Sequence, residues 1–372
     1  MSHLAAYTKD LYELRFSPMC KPAAEVANLT KLESHTTRGR MMLLWRIAAG
    51  MAEWGAREAE LIYESTLDSI SEAFDVFHYP VSQTMLKARA DIWEADLAPA
   101  PVRRAVEESA NTDAGAPPTQ AETLLLAGEI AQLGDDSLLK PIGRALEKSN
   151  LNAPAWVAQT GALAYALGAW DVAREQAGKI RDGLKAGGVH IIIADGPETA
   201  WALTKIYPAL GIDLPEQVTV KLLSTVLSEG VNKAGGVSKL GPVMVHDSRP
   251  ACLLADHMAT NLAILPGYLE DEAAFGEGEV YTAPRRLLDA LGVERVFGAW
   301  TRSLAKSSGA DDGLWLTYPR LAGGLAGQRL DYAAQLGAAS IVTDSPLAAA
   351  FLTQHTPGRD IQVKLLAELL SA

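Results

Sequence analysis

Cys20 and Cys252 are the only thiols in 372 residues. Two thiols cannot hold a four-thiolate cluster or build a disulfide framework. Both read as buried or inert cysteines, the usual state of a free thiol. Seven histidines, at positions 3, 35, 78, 190, 246, 257 and 355, are dispersed. None falls in the H-x-x-x-H or H-E-x-x-H spacing that puts two imidazoles on one helix face, so no zinc site is predicted. His246 and Asp247 are adjacent, with Arg249 two residues on, and form the best acid–base set in the chain. Without a surrounding motif, the commoner role of such a pair is to stabilise a turn. No G-x-G-x-x-G dinucleotide loop or G-x-x-x-x-G-K-[ST] phosphate loop occurs. Ala234-Gly235-Gly236 reads as a tight turn. Gly323-Gly324-Leu325-Ala326-Gly327 reads as a flexible turn opening a helix at Leu325, where backbone N–H groups could face an anion.

The elements that must position these residues divide by texture. Residues 1–110 read as helical. Met42, Leu43, Ile47, Met51, Trp54 and Leu61 keep helical spacing across Gly39 to Tyr63, and a second run covers Val81 to Asp96. Residues 111–121 are polar and Pro-rich, a linker composition. From Glu122 onward, short apolar runs at Thr123–Ala127, Val189–Ala194, Val243–His246 and Ile341–Thr343 read as buried strands. They alternate with helical stretches such as Trp170–Leu184 and Leu325–Leu336. Buried parallel strands have this character because helices cover both faces of their sheet. The predicted class is α + α/β, a helical module followed by two α/β domains at 122–238 and 239–372.

Those two α/β domains read as a repeat. With Gly188 on Gly337, Ile192 meets Ile341, Asp195 meets Asp344, Pro197 meets Pro346, Ala200 meets Ala349 and Leu203 meets Leu352. The shared unit is strand, Asp-x-Pro turn, helix. The Asp is expected to cap the helix that follows and the Pro to occupy its first turn. Gln159-Thr160-Gly161 precedes one unit and Ser307-Ser308-Gly309 the other.

These features resemble the iron–sulphur subunits of the glycolate oxidase and heterodisulfide reductase type. That family joins a helical ferredoxin-like module with two four-iron clusters to two cysteine-rich α/β domains bearing Cys-Cys-Gly and Cys-Pro-x-Cys elements. Glu33-Ser34-His35-Thr36-Thr37-Arg38-Gly39-Arg40 fits the family's inter-motif helix start, and Tyr281-Thr282-Ala283-Pro284-Arg285 its Tyr-x-x-Pro-Arg segment. The resemblance implies ligand positions that hold other residues here. The first cluster motif falls on Asp10, Glu13, Phe16 and Cys20, and the second on Ser65, Asp68, Ser71 and Asp75. The Cys-Cys-Gly and Cys-Pro-x-Cys elements fall on Gln159, Thr160, Gly196 and Thr199 in one repeat. In the other they fall on Ser307, Ser308, Ser345 and Ala348, with Arg249 at a further ligand position.

Iron–sulphur clusters need soft thiolate donors, whereas hydroxyl and carboxylate are hard ligands. The expectation is therefore a relative without clusters or other cofactors. Asp10, Glu13, Asp68 and Asp75 could in principle hold magnesium or calcium, but read better as caps and hydrogen-bonding groups. Trp156 and Trp315 are expected to fill volume a cluster would occupy. What the resemblance implies for function is a structural or regulatory subunit, not catalytic alone, bound to a flavin-containing dehydrogenase subunit. The alternative is a small-metabolite-binding protein or enzyme using an emptied pocket between the α/β repeats, lined by His246, Asp247, Arg249, Ser307 and Ser308.

Bulk properties argue against two partner classes. A formal net charge of −12 disfavours nucleic acid and anionic lipid, which both select clustered Lys and Arg. The first twenty residues lack a basic segment followed by an apolar one, and no run of about 18 apolar residues occurs, so neither a signal peptide nor membrane insertion is expected. The expected location is the cytoplasm.

Overall fold

A computed structural model describes residues 2–16, 20–75, 77–112, 115–118, 121–231, 240–255, 257–258 and 272–371. The Ala234-Gly235-Gly236 turn lies outside the described residues. Among those residues no helix is long and apolar enough to cross a membrane.

The helical module contains two helices where one run was expected. Thr37–Ala48 and Ala56–Tyr63 are separated by a turn in which Gly50 adopts φ +68°, a left-handed conformation that ends the first helix. Helix Val81–Glu94 stops just short of the left-handed Asp96. Leu11, Met41, Leu44, Ile62, Met85 and Ile92 share one core with Leu163, Tyr165 and Tyr207 of the following α/β region. Buried arginines tie the joint. Arg40 donates to the carbonyls of His35, Leu61 and Glu64, and Arg89 to those of Ser65 and Ala166. Each guanidinium thus satisfies carbonyls that helix ends leave open.

The strands are β1 (Thr123–Ala127), β2 (Ala155–Val157), β3 (Ile191–Ala194), β4 (Thr219–Leu222), β5 (Val243–His246), β6 (His257–Met258), β7 (Gly276–Glu277), β8 (Arg295–Val296), β9 (Ser340–Thr343) and β10 (Gln362–Leu365). β6 and β7 form a small antiparallel pair. The others make two four-stranded parallel sheets, ordered β2-β1-β3-β4 and β8-β5-β9-β10. Counted within its own sheet, each runs second, first, third, fourth. Leu125 and Ile193 of one sheet share a core with Val245, Val342 and Leu365 of the other.

The glycines of the two upstream elements have one geometry. Gly161 and Gly309 adopt φ +88° and +89°. A Cβ on Gly161 would lie 2.8 Å from the Ala173 carbonyl oxygen, and one on Gly309 would lie 2.2 Å from that of Ala322. Only glycine lets these turns press against the backbones of helices Trp170–Gly187 and Pro319–Gln335. Gly309→Ala is expected to destabilise by about 1–3 kcal/mol in urea unfolding, from strain plus overlap. Gly337→Ala, at φ +77° with open space around it, isolates the strain and should cost less. Equal costs would show that the close approach is relieved without penalty.

Two turn expectations need correction. Gly323, Gly324 and Gly327 lie inside helix Pro319–Gln335 and do not open it. A Cβ on Gly324 would come within 2.4 Å of Leu29, so glycine lets helix Glu25–Thr30 pack closely. Asp195 does not cap the helix that follows its own strand. Its carboxylate accepts from the amides of Glu129 and Ile130, capping the helix after the neighbouring β1. After β9, Ser345 is the cap, accepting from the Ala348 amide.

Candidate functional site

The strand ends bring the sequence-derived positions together. His246 pairs with Thr343 as Leu126 pairs with Ala194, and Thr343 and Ala194 are equivalent in the repeat. Three residues beyond His246 and Leu126 respectively, Arg249 therefore stands where Glu129 stands. Both are fully enclosed, 2% and 1% exposed.

Glu129 joins the two sheets. One carboxylate oxygen accepts from the Glu198 amide at 2.9 Å. The other accepts from the Leu347 amide at 3.2 Å and from the Ser345 hydroxyl. Glu198 and Leu347 each follow the repeat's proline, so one carboxylate bridges equivalent turns of both halves. Burial, then the carboxyls of Asp195 and Glu198, push its acidity well into the neutral form's favour. Burial likewise raises Asp195 to about 6 and Glu198 to about 8.

Asp247 and His246 do not form an acid–base couple. Asp247 takes Arg285 through both oxygens at 2.8 Å and also accepts from the Arg302 amide at 2.6 Å. Burial opposes its charge, but Arg285 outweighs burial and holds the carboxyl below its usual range. His246 Nδ1 accepts from Arg329 Nε at 3.0 Å. Burial and then the Arg329 charge keep this imidazole neutral. With each group held by a different arginine, the pair serves as an anchor for the turn after β5.

The second cluster motif is closed on itself. Thr37 donates to Asp68 at 2.6 Å and Ser71 donates to the other oxygen at 2.8 Å. Ser65 and Asp75 are buried beside them. The first motif faces outward. Asp10 is half-buried and Glu13 and Phe16 are exposed, while the side chain of Cys20 lies outside the described residues. In the first repeat, Gln159 donates to the Ala131 carbonyl. Thr160 and Thr199 close over Gly128, where a Cβ would meet them at 2.6 and 2.5 Å, and Glu129 closes over Gly196. In the second, Ser307 and Ser308 donate to Asp311, Ser345 bonds Glu129, and Ala348 contributes its amide. The side chains at these positions offer hard oxygens, several already hydrogen-bonded to neighbours, or no donor at all, a set that does not fit an iron–sulphur cluster.

The five residues expected to line an emptied pocket, His246, Asp247, Arg249, Ser307 and Ser308, are between 0% and 3% exposed. A groove of about 400 Å³ lies elsewhere between the halves, on Leu133, Trp315, Ala349, Thr353, Val363 and Lys364. Trp315 thus borders a groove, and Trp156 packs against Gly183 and not in a ligand position. Among the described residues, His3, Asp91 and Glu94 bring metal-ligand atoms within 4.8 Å. Their atoms are engaged already: His3 bonds Glu94, and Asp91 accepts from Ser2 and the His3 amide.

No family model matches the sequence, and no curated protein matches it. The fold has a solved counterpart. The crystal structure of a hypothetical protein from Helicobacter pylori superposes with a TM-score of 0.56 at 12% identity, over 99% of this chain and 75% of that one. At that identity the likeness is one of fold.

Glu129, Asp311 and Arg329 carry much of this network and were missed in the sequence. Glu129 had a signal, a charged residue two positions after a buried apolar strand. Arg285 stood in the Tyr-x-x-Pro-Arg segment but had no role assigned.

Proposed function

We propose that this chain is a cluster-free scaffold subunit that works by binding a protein partner, a flavin-containing dehydrogenase subunit of an oxidoreductase complex. One observation carries the reading: the helical module presents an exposed aromatic face, backed by the buried guanidinium of Arg15. Phe16, Phe77, Met51 and Tyr12 are 62%, 72%, 61% and 46% exposed. Arg15 lies 3.7 Å from the Tyr12 ring centre, 4.0 Å from Phe16 and 4.2 Å from Trp45. Tyr79, its ring tilted against Phe77, has its hydroxyl raised by desolvation and then by the charges of Glu13, Asp75 and Asp10, and Glu13 and Asp10 lie on the Tyr12 helix, which brings the two aromatic groups near each other. Aromatic and Arg side chains dominate binding at interface centres. The choice of a flavoprotein rests on the family resemblance.

The test is affinity purification from the chain's own host, read by native mass spectrometry and the flavin spectrum. The expected result is a stoichiometric flavoprotein complex. Phe16→Ser with Phe77→Ser should abolish it and leave the melting temperature unchanged. A wild-type chain that elutes alone, without flavin, overturns the proposal. A second reading, a metabolite-binding protein, is favoured by the groove at Trp315, whose volume suits a small ligand.

A further inference from the structure

The groove between the halves has both room and unpaired charge. It measures about 400 Å³ and opens to solvent beside the edge strand β10. Small-molecule sites span roughly 300–1,000 Å³ and favour domain junctions. Leu133 and Leu138 line it from the first α/β half, and Ala349 and Val363 from the second. Trp315 joins them, its indole half-buried and packed against Phe351 with 6.3 Å between ring centres. An apolar surface open to solvent and rimmed by polar groups is the usual mark of a binding groove.

The rim carries both signs of charge, and they do not neutralise each other. Lys364 on β10 and Glu368, four residues on, both line the groove. Among the described residues, no carboxylate lies within 4.0 Å of the Lys364 ammonium and no hydrogen bond holds it. Glu368 accepts from the Leu365 amide at 2.7 Å through Oε2, which anchors the carboxylate and leaves Oε1 free. Asp135, the other acid of the rim, is committed: its oxygens accept from the Ser137 amide and hydroxyl at 2.9 and 3.0 Å. A ligand with only a carboxylate pairs with Lys364 but meets Glu368 and Asp135. A ligand with only an amine pairs with Glu368 and leaves Lys364 unmatched. A ligand bearing both charges complements the rim as it stands.

We propose that this groove binds a zwitterionic α-amino acid with a large apolar side chain. Its carboxylate pairs with Lys364, its ammonium with Glu368 Oε1, and its side chain lies against Trp315, Leu133 and Val363. The inference rests on the second reading above, that the chain binds a metabolite, and names the class of ligand.

Isothermal titration calorimetry of the full-length chain compares L-phenylalanine and L-leucine with four analogues. Phenethylamine and isoamylamine lack the carboxylate, and hydrocinnamate and isocaproate lack the ammonium. The expected result is saturable binding of at least one amino acid, with its amine and its acid bound at least about tenfold more weakly, since each has lost one charged contact. Lys364→Met should weaken the amino acid by a similar factor and leave the amine unchanged. Glu368→Gln, whose amide oxygen still accepts from Leu365, should weaken the amino acid and leave the acid unchanged or tighter. An acid or amine that binds as tightly as its amino acid overturns the inference and leaves the metabolite reading standing. Amino-acid binding that neither variant weakens overturns it as well. Binding by none of the six probes also overturns it. Native mass spectra of the chain from its own host then judge the broader reading, which falls if no small molecule accompanies the protein.

Discussion

Alanine in place of Asp247 is expected to lower stability by about 3–5 kcal/mol, the cost of leaving a buried charge without its partner. Arg285 is 4% exposed and meets Asp247 through two parallel hydrogen bonds of 2.8 Å. It also pairs with Glu272, which in turn binds Arg295. Removing Asp247 takes both oxygens from the Arg285 fork, leaving it Glu272 through Nε alone as a charged partner, and also frees the Arg302 amide and the Thr301 hydroxyl. Urea unfolding gives the cost directly. The double variant Asp247→Ala with Arg285→Met should be less damaged than the sum of the single variants, since each single change already breaks the pair. A cost under about 1 kcal/mol for Asp247→Ala would place this pair among weak surface bridges and refute its role as an anchor.

Glu198→Gln is expected to stabilise the protein at pH 8 and to have little effect near pH 4.5. Glu198 accepts from Gln132, but burial and the carboxyls of Asp312, Asp311 and Asp195 raise its pKa to about 8 from an ordinary 4.5. A carboxyl raised by folding binds its proton more tightly in the native state. Its contribution is intact below pH 4.5 and is lost as the pH climbs toward 8, with a slope of up to about 1.4 kcal/mol per pH unit. Glu25 and Asp344, raised to about 7, act in the same direction. His246 acts oppositely, because a depressed imidazole loses stability as the pH falls below its unfolded value. It is common to both proteins, so the difference between them isolates Glu198. A difference that stays constant from pH 5 to pH 8 would show that this carboxyl does not titrate in that window.

The sequence was most legible where residues are interchangeable members of a pattern. β1, β3, β5 and β9 were readable because they are central strands covered on both faces, and only continuous Val, Ile and Leu satisfy that environment. The edge strands β2, β4, β8 and β10 were missed. β2 and β8 are short, and exposed positions such as Ala155, Thr219 and Gln362 interrupt the apolar run. The ligand-like positions were legible as a set, since their spacing from the turn glycines and prolines persists. What each one touches was not. Asp195 was read as a cap for its own following helix, yet it caps the helix after β1, because parallel pairing puts that helix end nearer.

By itself, the sequence determined the helical first part, the buried strands, the duplicated turn chemistry and the lack of thiols for a cluster. Each follows from local residue type or a short period, which the chain carries wherever it folds. Only the tertiary structure decided which charges meet. Glu129 reaches Ser345 across 216 positions, and Asp312 reaches the Leu67 amide across 245. In a low-dielectric interior the fate of a charge depends on what lies within a few ångströms of it, and no local periodicity encodes that distance.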